Sequence, residues 1–187
     1  MDGKKQMNEL PDKKYNIIYA DPPWKYDFIR SKSRSLDNHY NQMSIEDIKN
    51  MPVNSIAEDN SILCLWVTFP KLQEGLDVMK SWGFNYTTLL FNWVKKNKSG
   101  GNFIGMGYYT RSNAEICILG KKGKGCKAIN HSISNIVESA WTKHSEKPKF
   151  IRDKIVELFG DISRIELFAR EKVEGWDSWV MKYESLE

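Results

Sequence analysis

No stretch of this sequence approaches the roughly 20 consecutive apolar residues of a membrane-spanning helix, so a membrane partner is not expected. Cysteine is scarce. The three present, Cys64, Cys117 and Cys126, form no C-x-x-C pair. A sparse, odd count fits a reducing compartment and gives no zinc framework, so no metal is expected. Cys64 and Cys117 lie in apolar runs and read as small core residues. No G-x-x-x-x-G-K-[ST] occurs, which removes the triphosphate-binding P-loop, and no G-x-G-x-x-G follows a strand. The first fourteen residues are polar and lack the apolar segment of a signal peptide. They are expected to be a loose arm, and the protein to be cytoplasmic. There is no internal repeat and no low-complexity tract.

What remains is a chain of 187 residues, 41% hydrophobic and 28% charged. That is enough for one α/β domain, taken as residues 15–187, and short for two. The net charge of +4 is unevenly spread. From Lys95 to Lys127 eight basic side chains stand against one acid, Glu115. Such a concentration suits a polyanionic partner, although a solvated surface has the same composition.

The chain reads as alternating strands and helices. Short apolar runs predict strands at Asn16–Ala20, Ser61–Thr68, Tyr86–Val94, Ser112–Gly120, Ser134–Trp141 and Ser163–Ala169. Ser44 caps a short helix to Asn50, with Asp47 three residues on, and Pro52 ends it. A second helix runs from Pro70 to Trp82, with Leu72, Leu76 and Met79 on one face and Gly83 past its end. A third opens at Lys147-Pro148 and runs to Leu158, burying Ile151, Ile155, Leu158 and Phe159. Trp176 and Trp179 are three apart in Gly175–Met181, which reads as a short helix with both indoles on one face. Strands alternating with helices imply a mostly parallel sheet covered on both faces, a Rossmann-like α/β fold.

The most informative stretch is Asn16 to Trp24. A buried strand stops at Asp21 because two prolines follow, and neither has an N–H for a ladder. Asp21-Pro22-Pro23-Trp24 therefore puts a carboxylate on a stiff turn at a strand's carboxyl end, where open α/β sheets bind ligands. An aromatic exocyclic amine is a poor nucleophile, since its lone pair is delocalised. Asp21 can accept one amine hydrogen and the Pro22 carbonyl another, which aims the nitrogen lone pair. Trp24 offers a face for stacking a base. The bland reading is a plain turn followed by a core tryptophan.

Lys25 to Tyr40 has little periodicity and reads as a loop beside this corner. His39 reads as structural. Lys95 to Arg111 is a long loop with four glycines between Phe103, Tyr108, Tyr109 and basic residues, suited to unpaired nucleotides. Lys121, Lys122 and Lys124 follow the next strand and are expected beside the same sheet edge, contacting phosphates with Lys95.

Asp21-Pro22-Pro23-Trp24 resembles the catalytic tetrapeptide of the N6-adenine methyltransferases. The likeness is to the family of the catalytic (70-kDa) subunit of the eukaryotic mRNA adenosine methyltransferase, which has bacterial and phage members. Leu63–Thr68, His144-Ser145-Glu146-Lys147-Pro148 and Ile165–Arg170 continue the resemblance, which covers about Tyr15 to Trp179. It implies a permuted order, with the catalytic strand first and the donor-binding strand near the C-terminus. It implies S-adenosylmethionine as cofactor, Lys147 at the donor's carboxylate, Arg170 near its ribose or amino-acid part, and Asp21 near its amino group. Glu166 is a further donor-side candidate. Tyr40 falls where relatives carry an aromatic after this loop, which makes it a candidate substrate contact; a surface tyrosine anchoring the loop is the alternative. Where relatives carry a donor-binding asparagine this chain has Met181. The expected activity is methyl transfer to the N6 amino group of adenine in nucleic acid, DNA before RNA, by a homodimer or with a partner subunit. The alternatives are a non-catalytic nucleic-acid scaffold and a cytosine N4 methyltransferase.

Overall fold

The computed structural model describes residues 6–26, 42–105, 107, 109–140, 146–181 and 183–184. The central sheet has seven strands: β2 (Tyr15–Ala20), β3 (Ala57–Val67), β4 (Asn85–Lys96), β5 (Ala114–Lys122), β6 (Ile136–Ala140), β7 (Arg164–Leu167) and β8 (Asp177–Trp179). Their order across the sheet is β6-β4-β5-β3-β2-β7-β8. The pairs β2–β3, β2–β7, β4–β6 and β7–β8 are parallel, and β5 is antiparallel to both β3 and β4. Six strands thus point one way and β5 the other. The expected mostly parallel, Rossmann-like α/β architecture is present, with β3 at its centre and β2 beside it.

The core follows from a period of two along strands covered on both faces. Ile18, Ala20, Leu63, Leu65 and Val67 face one layer, with Val78 and Met79 of α2 (Leu72–Ser81) and Ile48 of α1 (Ile45–Lys49). Ile17, Tyr19, Ile62, Cys64 and Trp66 face the other, with Ile151, Ile155 and Phe159 of α3 (Phe150–Phe159). Ser44 caps α1 as expected: its hydroxyl accepts from the Asp47 N–H at 3.1 Å and donates to the Asp47 carboxylate at 2.7 Å. α2 starts later than Pro70, after a 3₁₀ turn over Phe69–Lys71. Leu72 is consequently exposed rather than part of the buried stripe. Gly75 lets α2 lie close on β3, since a Cβ there would sit 2.3 Å from Val67 Cγ1. Among the described residues no helix is long and apolar enough to cross a membrane.

Two sequence expectations are corrected. Gly175–Met181 is not helical: Asp177–Trp179 is a strand, with Leu167 opposite Trp179. Three residues along a strand reverse the side-chain direction, so Trp176 packs in one layer and Trp179 in the other. Pairing with β7 outweighed a spacing that suits a helix. Nor is the start of the chain loose throughout. β1 (Gln6–Met7) pairs with β9 (Tyr183–Glu184). The Trp179 indole donates to Glu9 O at 3.0 Å, and Lys13 pairs with Asp177 at 2.7 Å. Tyr40, His39, Tyr108, Trp141 and the His144-Ser145 pair lie outside the described residues, as does most of the Lys25–Tyr40 loop.

Candidate active site at the carboxyl edge of the sheet

The chain leaves β2 toward β3 on one side, and β7 arrives on the other side and continues to β8. The switch point of the sheet is therefore between β2 and β7, the place where doubly wound sheets open a crevice. Asp21 follows β2 there, and Phe168–Arg170 follow β7. Because β5 runs in reverse, its first residues, Ala114 and Glu115, stand at this same edge, beside Trp93 and Val94 near the end of β4.

The Asp-Pro-Pro corner is pinned from three sides. The Trp24 N–H donates to Pro22 O at 2.9 Å, and the Met43 N–H to Pro23 O at 3.0 Å. The Trp24 indole N–H donates to Trp66 O at 3.1 Å. Trp24 is only 7% exposed and belongs to the core. The open stacking face expected of it is thus filled by protein: the indole locks the corner instead. The Asp21 side chain keeps 20% of its surface exposed and remains reachable. Pro22 O retains a second lone pair, since a carbonyl has two.

Asp21 is held in a chain of alternating charges. Lys147 Nζ donates to both Asp21 oxygens at 2.9 Å and lies 3.1 Å from Glu115 Oε2. The other Glu115 oxygen takes the Lys95 ammonium. Two indoles underlie the cations. Lys147 Nζ is 5.5 Å from the Trp66 ring centre and Lys95 Nζ 5.0 Å from that of Trp93, a favourable cation–π arrangement. Both rings are fixed through their N–H groups, Trp66 to Tyr19 OH at 2.7 Å and Trp93 to Ser139 Oγ at 2.8 Å.

These contacts set the protonation states. Burial raises the Asp21 carboxyl above the ordinary carboxylate range, and Lys147 only partly offsets this. Burial also disfavours the Glu115 anion, but Lys147 and Lys95 outweigh it and hold that carboxyl low. Lys147 is disfavoured as a cation by burial, yet Asp21 and Glu115 together raise it. One carboxylate with two ammonium neighbours stays ionised. The other, sharing its ammonium, becomes the more basic oxygen pair.

The donor-side candidates separate. Arg170 follows β7 at the switch point, and its charge reaches Asp21. Glu166, in contrast, is buried and spent on Arg152 in a bidentate pair, Nε–Oε2 2.7 Å and Nη2–Oε1 3.1 Å. That pair ties α3 to β7. Phe168 has φ +62, a left-handed backbone that costs a non-glycine residue about 1–2 kcal/mol. Such strain gathers at ligand sites. Met181 packs against the core.

The substrate-side lysines also separate. Lys95 is at the Asp21 edge, at the root of the 97–113 loop. The Phe103 N–H donates to Lys95 O at 2.9 Å, and Lys96 Nζ to Asn102 Oδ1 at 3.0 Å. Lys98, Tyr109 and Arg111 of that loop are exposed. Lys121, Lys122 and Lys124 lie at the opposite edge, which corrects the expectation that they border Asp21. Lys122 pairs with Ser61, near the start of the buried part of β3, and donates to Ala57 O at 3.2 Å. The Lys124 N–H donates to Asn60 Oδ1 at 2.8 Å. The nine residues of β5 separate the two edges by roughly 25–30 Å. The cause is the reversed direction of β5, to which the apolar run gives no clue. Glu115 escaped notice in the sequence. Its one signal was being the single acid among eight bases.

The MT-A70 family model matches residues 15–182. The sequence is 33% identical to the type II methyltransferase M.MunI of Mycoplasma sp over 189 residues, 91% of this chain and 78% of that one. It is 28% identical over 193 residues to the human N(6)-adenine-specific methyltransferase METTL4, covering 94% of this chain and 39% of the relative. Identity to the human N(6)-adenosine-methyltransferase catalytic subunit METTL3 is 24% over 164 residues, 84% of this chain and 26% of the relative. The chain thus spans well under half of either human protein.

Proposed function

The chain belongs to the MT-A70 family, and on that premise we propose that it transfers a methyl group from S-adenosylmethionine to the N6 amino group of adenine in nucleic acid, DNA in preference to RNA. The observation that carries this reading is the Asp21 carboxylate, still reachable on a corner fixed by three hydrogen bonds at the sheet's switch point.

The residues fit an amino-acid-bearing donor. Asp21 and Lys147 present an anion and a cation side by side, the complement of a zwitterion, and Arg170 adds a second cation at the crevice. Lys147 and Arg170 would hold the donor's carboxylate and Asp21 its ammonium. Glu166 is left out of this set because it is buried with both oxygens on Arg152, whereas Asp21, although paired with Lys147, keeps a fifth of its side chain exposed. The donor supplies an electrophilic methyl carbon on a sulfonium sulfur. The chain's own work is positioning. Asp21 accepts one hydrogen of the adenine amine, and Pro22 O accepts the other on its remaining lone pair. The raised basicity of Asp21 strengthens that acceptance and suits it to receive the amine proton. Lys147, anchored by Glu115, keeps the carboxylate aimed.

The test is incubation of the protein with tritiated S-adenosylmethionine and unmethylated genomic DNA or transcribed RNA, followed by digestion to nucleosides. Label in N6-methyl-deoxyadenosine is the expected outcome. Label in N4-methyl-deoxycytidine would replace adenine with cytosine as target, and label in the ribonucleoside would replace DNA with RNA. One observation favours a second reading, a non-catalytic binding subunit: both Asp21 oxygens are taken by Lys147. Calorimetry separates the two, since that subunit binds no S-adenosylmethionine with or without nucleic acid.

A further inference from the structure

Chemistry on a base inside a duplex requires the base to leave the stack and find another. Trp24, 7% exposed and packed into the core, does not offer that surface. Two other aromatics at the same edge do. Tyr26 is 38% exposed, and its hydroxyl is fixed to Thr68 Oγ1 at 2.7 Å. Lys71 Nζ lies over its ring, 5.7 Å from the centre, and is itself held by Glu74 at 2.9 Å. The ring is therefore held at its hydroxyl, with a cation over one face, while more than a third of the residue stays exposed. Phe69 is 52% exposed on the 3₁₀ turn that follows β3, the neighbour of the catalytic strand. The Tyr26 hydroxyl is near enough to Glu115, Lys147 and Asp21 to feel their charges.

We infer that Tyr26 and Phe69 form the aromatic site that receives an unpaired nucleobase at the Asp21 edge, a reading that rests on the methyl-transfer function proposed above. Thr68 and Lys71 are its positioning residues. The site is sequence-tolerant, because every base has a π face. The choice of a base bearing an exocyclic amine over thymine is then left to the hydrogen bonds of Asp21 and Pro22.

Initial rates with tritiated S-adenosylmethionine and unmethylated genomic DNA test this for the wild type, Phe69→Ala, Phe69→Trp, Tyr26→Ala and Tyr26→Phe. Both side chains are exposed, and thermal melts check that each variant folds. The alanine variants are expected to raise the KM for DNA about 5- to 150-fold, the range set by removing one stacked base. Their KM for S-adenosylmethionine should stay unchanged, and Phe69→Trp and Tyr26→Phe should restore most of the DNA affinity. An active wild type whose alanine variants keep the wild-type KM for DNA overturns the aromatic site alone. So does a fall confined to kcat. A wild type inactive on DNA and on transcribed RNA overturns the methyl-transfer reading and this site with it.

Discussion

The two edges of the central sheet carry similar lysine content and use it differently. At the carboxyl edge, Lys95 and Lys147 are largely buried, rest on indoles and alternate with Glu115 and Asp21. At the opposite edge, Lys122 reaches backbone carbonyls and the Lys124 side chain stands in solvent. Coulomb interactions are weak in water and several-fold stronger in a partly buried site. The same residue type is therefore locked into a charge network at one edge and left to backbone carbonyls and solvent at the other. What distinguishes the edges is carboxylate company and burial, so the number of lysines along the chain is a poor guide to the site.

The largest expected effect comes from emptying the carboxyl edge of its acceptor. Asp21→Ala should lower kcat by about 10²- to 10⁴-fold, the usual worth of a positioned acid or base, while the melting temperature stays near wild type. A retained cooperative melt with lost label is the expected pair of results. Full activity in this variant would remove Asp21 from the chemistry.

Breaking the charge chain at Lys147 should come next. Lys147→Met leaves Asp21 without its ammonium, whereas Glu115 keeps Lys95. A broken, mostly buried pair typically costs about 3–5 kcal/mol, and the low end is expected because Asp21 is partly exposed. The pH profile supplies a sharper readout. Asp21 must be ionised to accept a hydrogen, and burial already holds its carboxyl above the ordinary range. Activity should therefore fall as pH drops through that raised value. Lys147 lowers it, so its removal should move the acid limb to higher pH. Glu115→Gln should do the opposite: the like charge disappears, Lys147 is left to Asp21 alone, and the limb moves to lower pH. A limb that stays in place in both variants would mean that a group other than Asp21 sets it.

Much of this arrangement is legible in the sequence, and the exceptions share a cause. The Asp21 corner, the Ser44 cap and the buried runs of β2 and β3 are written in local residues: prolines without N–H, a hydroxyl before a helix, uninterrupted apolar stretches. The direction of β5 is not. A strand buried on both faces reads the same parallel or antiparallel, which is why Lys121–Lys124 were expected at the wrong edge. Trp176 and Trp179 satisfy a helical spacing and are claimed by a strand through pairing with β7. Trp24 is identifiable as an aromatic, but its burial depends on Trp66 O, forty-two residues away. Pairings between distant residues decide each case, and those are what a local period does not encode.

The smallest expected effect separates the edges most directly. Lys98→Ala with Arg111→Ala removes two exposed cations from the loop at the Asp21 edge. Each phosphate left without its cation should flatten the salt dependence of DNA binding by about 0.9 in the slope of log K against log salt, so nearly 2 for the pair. Lys121→Ala with Lys124→Ala removes the same charge from the far edge, roughly 25–30 Å away, well beyond the Debye length of about 8 Å at physiological salt. That pair should leave the slope unchanged and move the KM for DNA less than about twofold, within the range of neutral surface changes. Fluorescence anisotropy of a labelled DNA duplex at several salt concentrations measures both slopes. Equal flattening by the two double variants would mean that nucleic acid wraps around the sheet to both edges, and the contrast between them would then lie in catalysis alone.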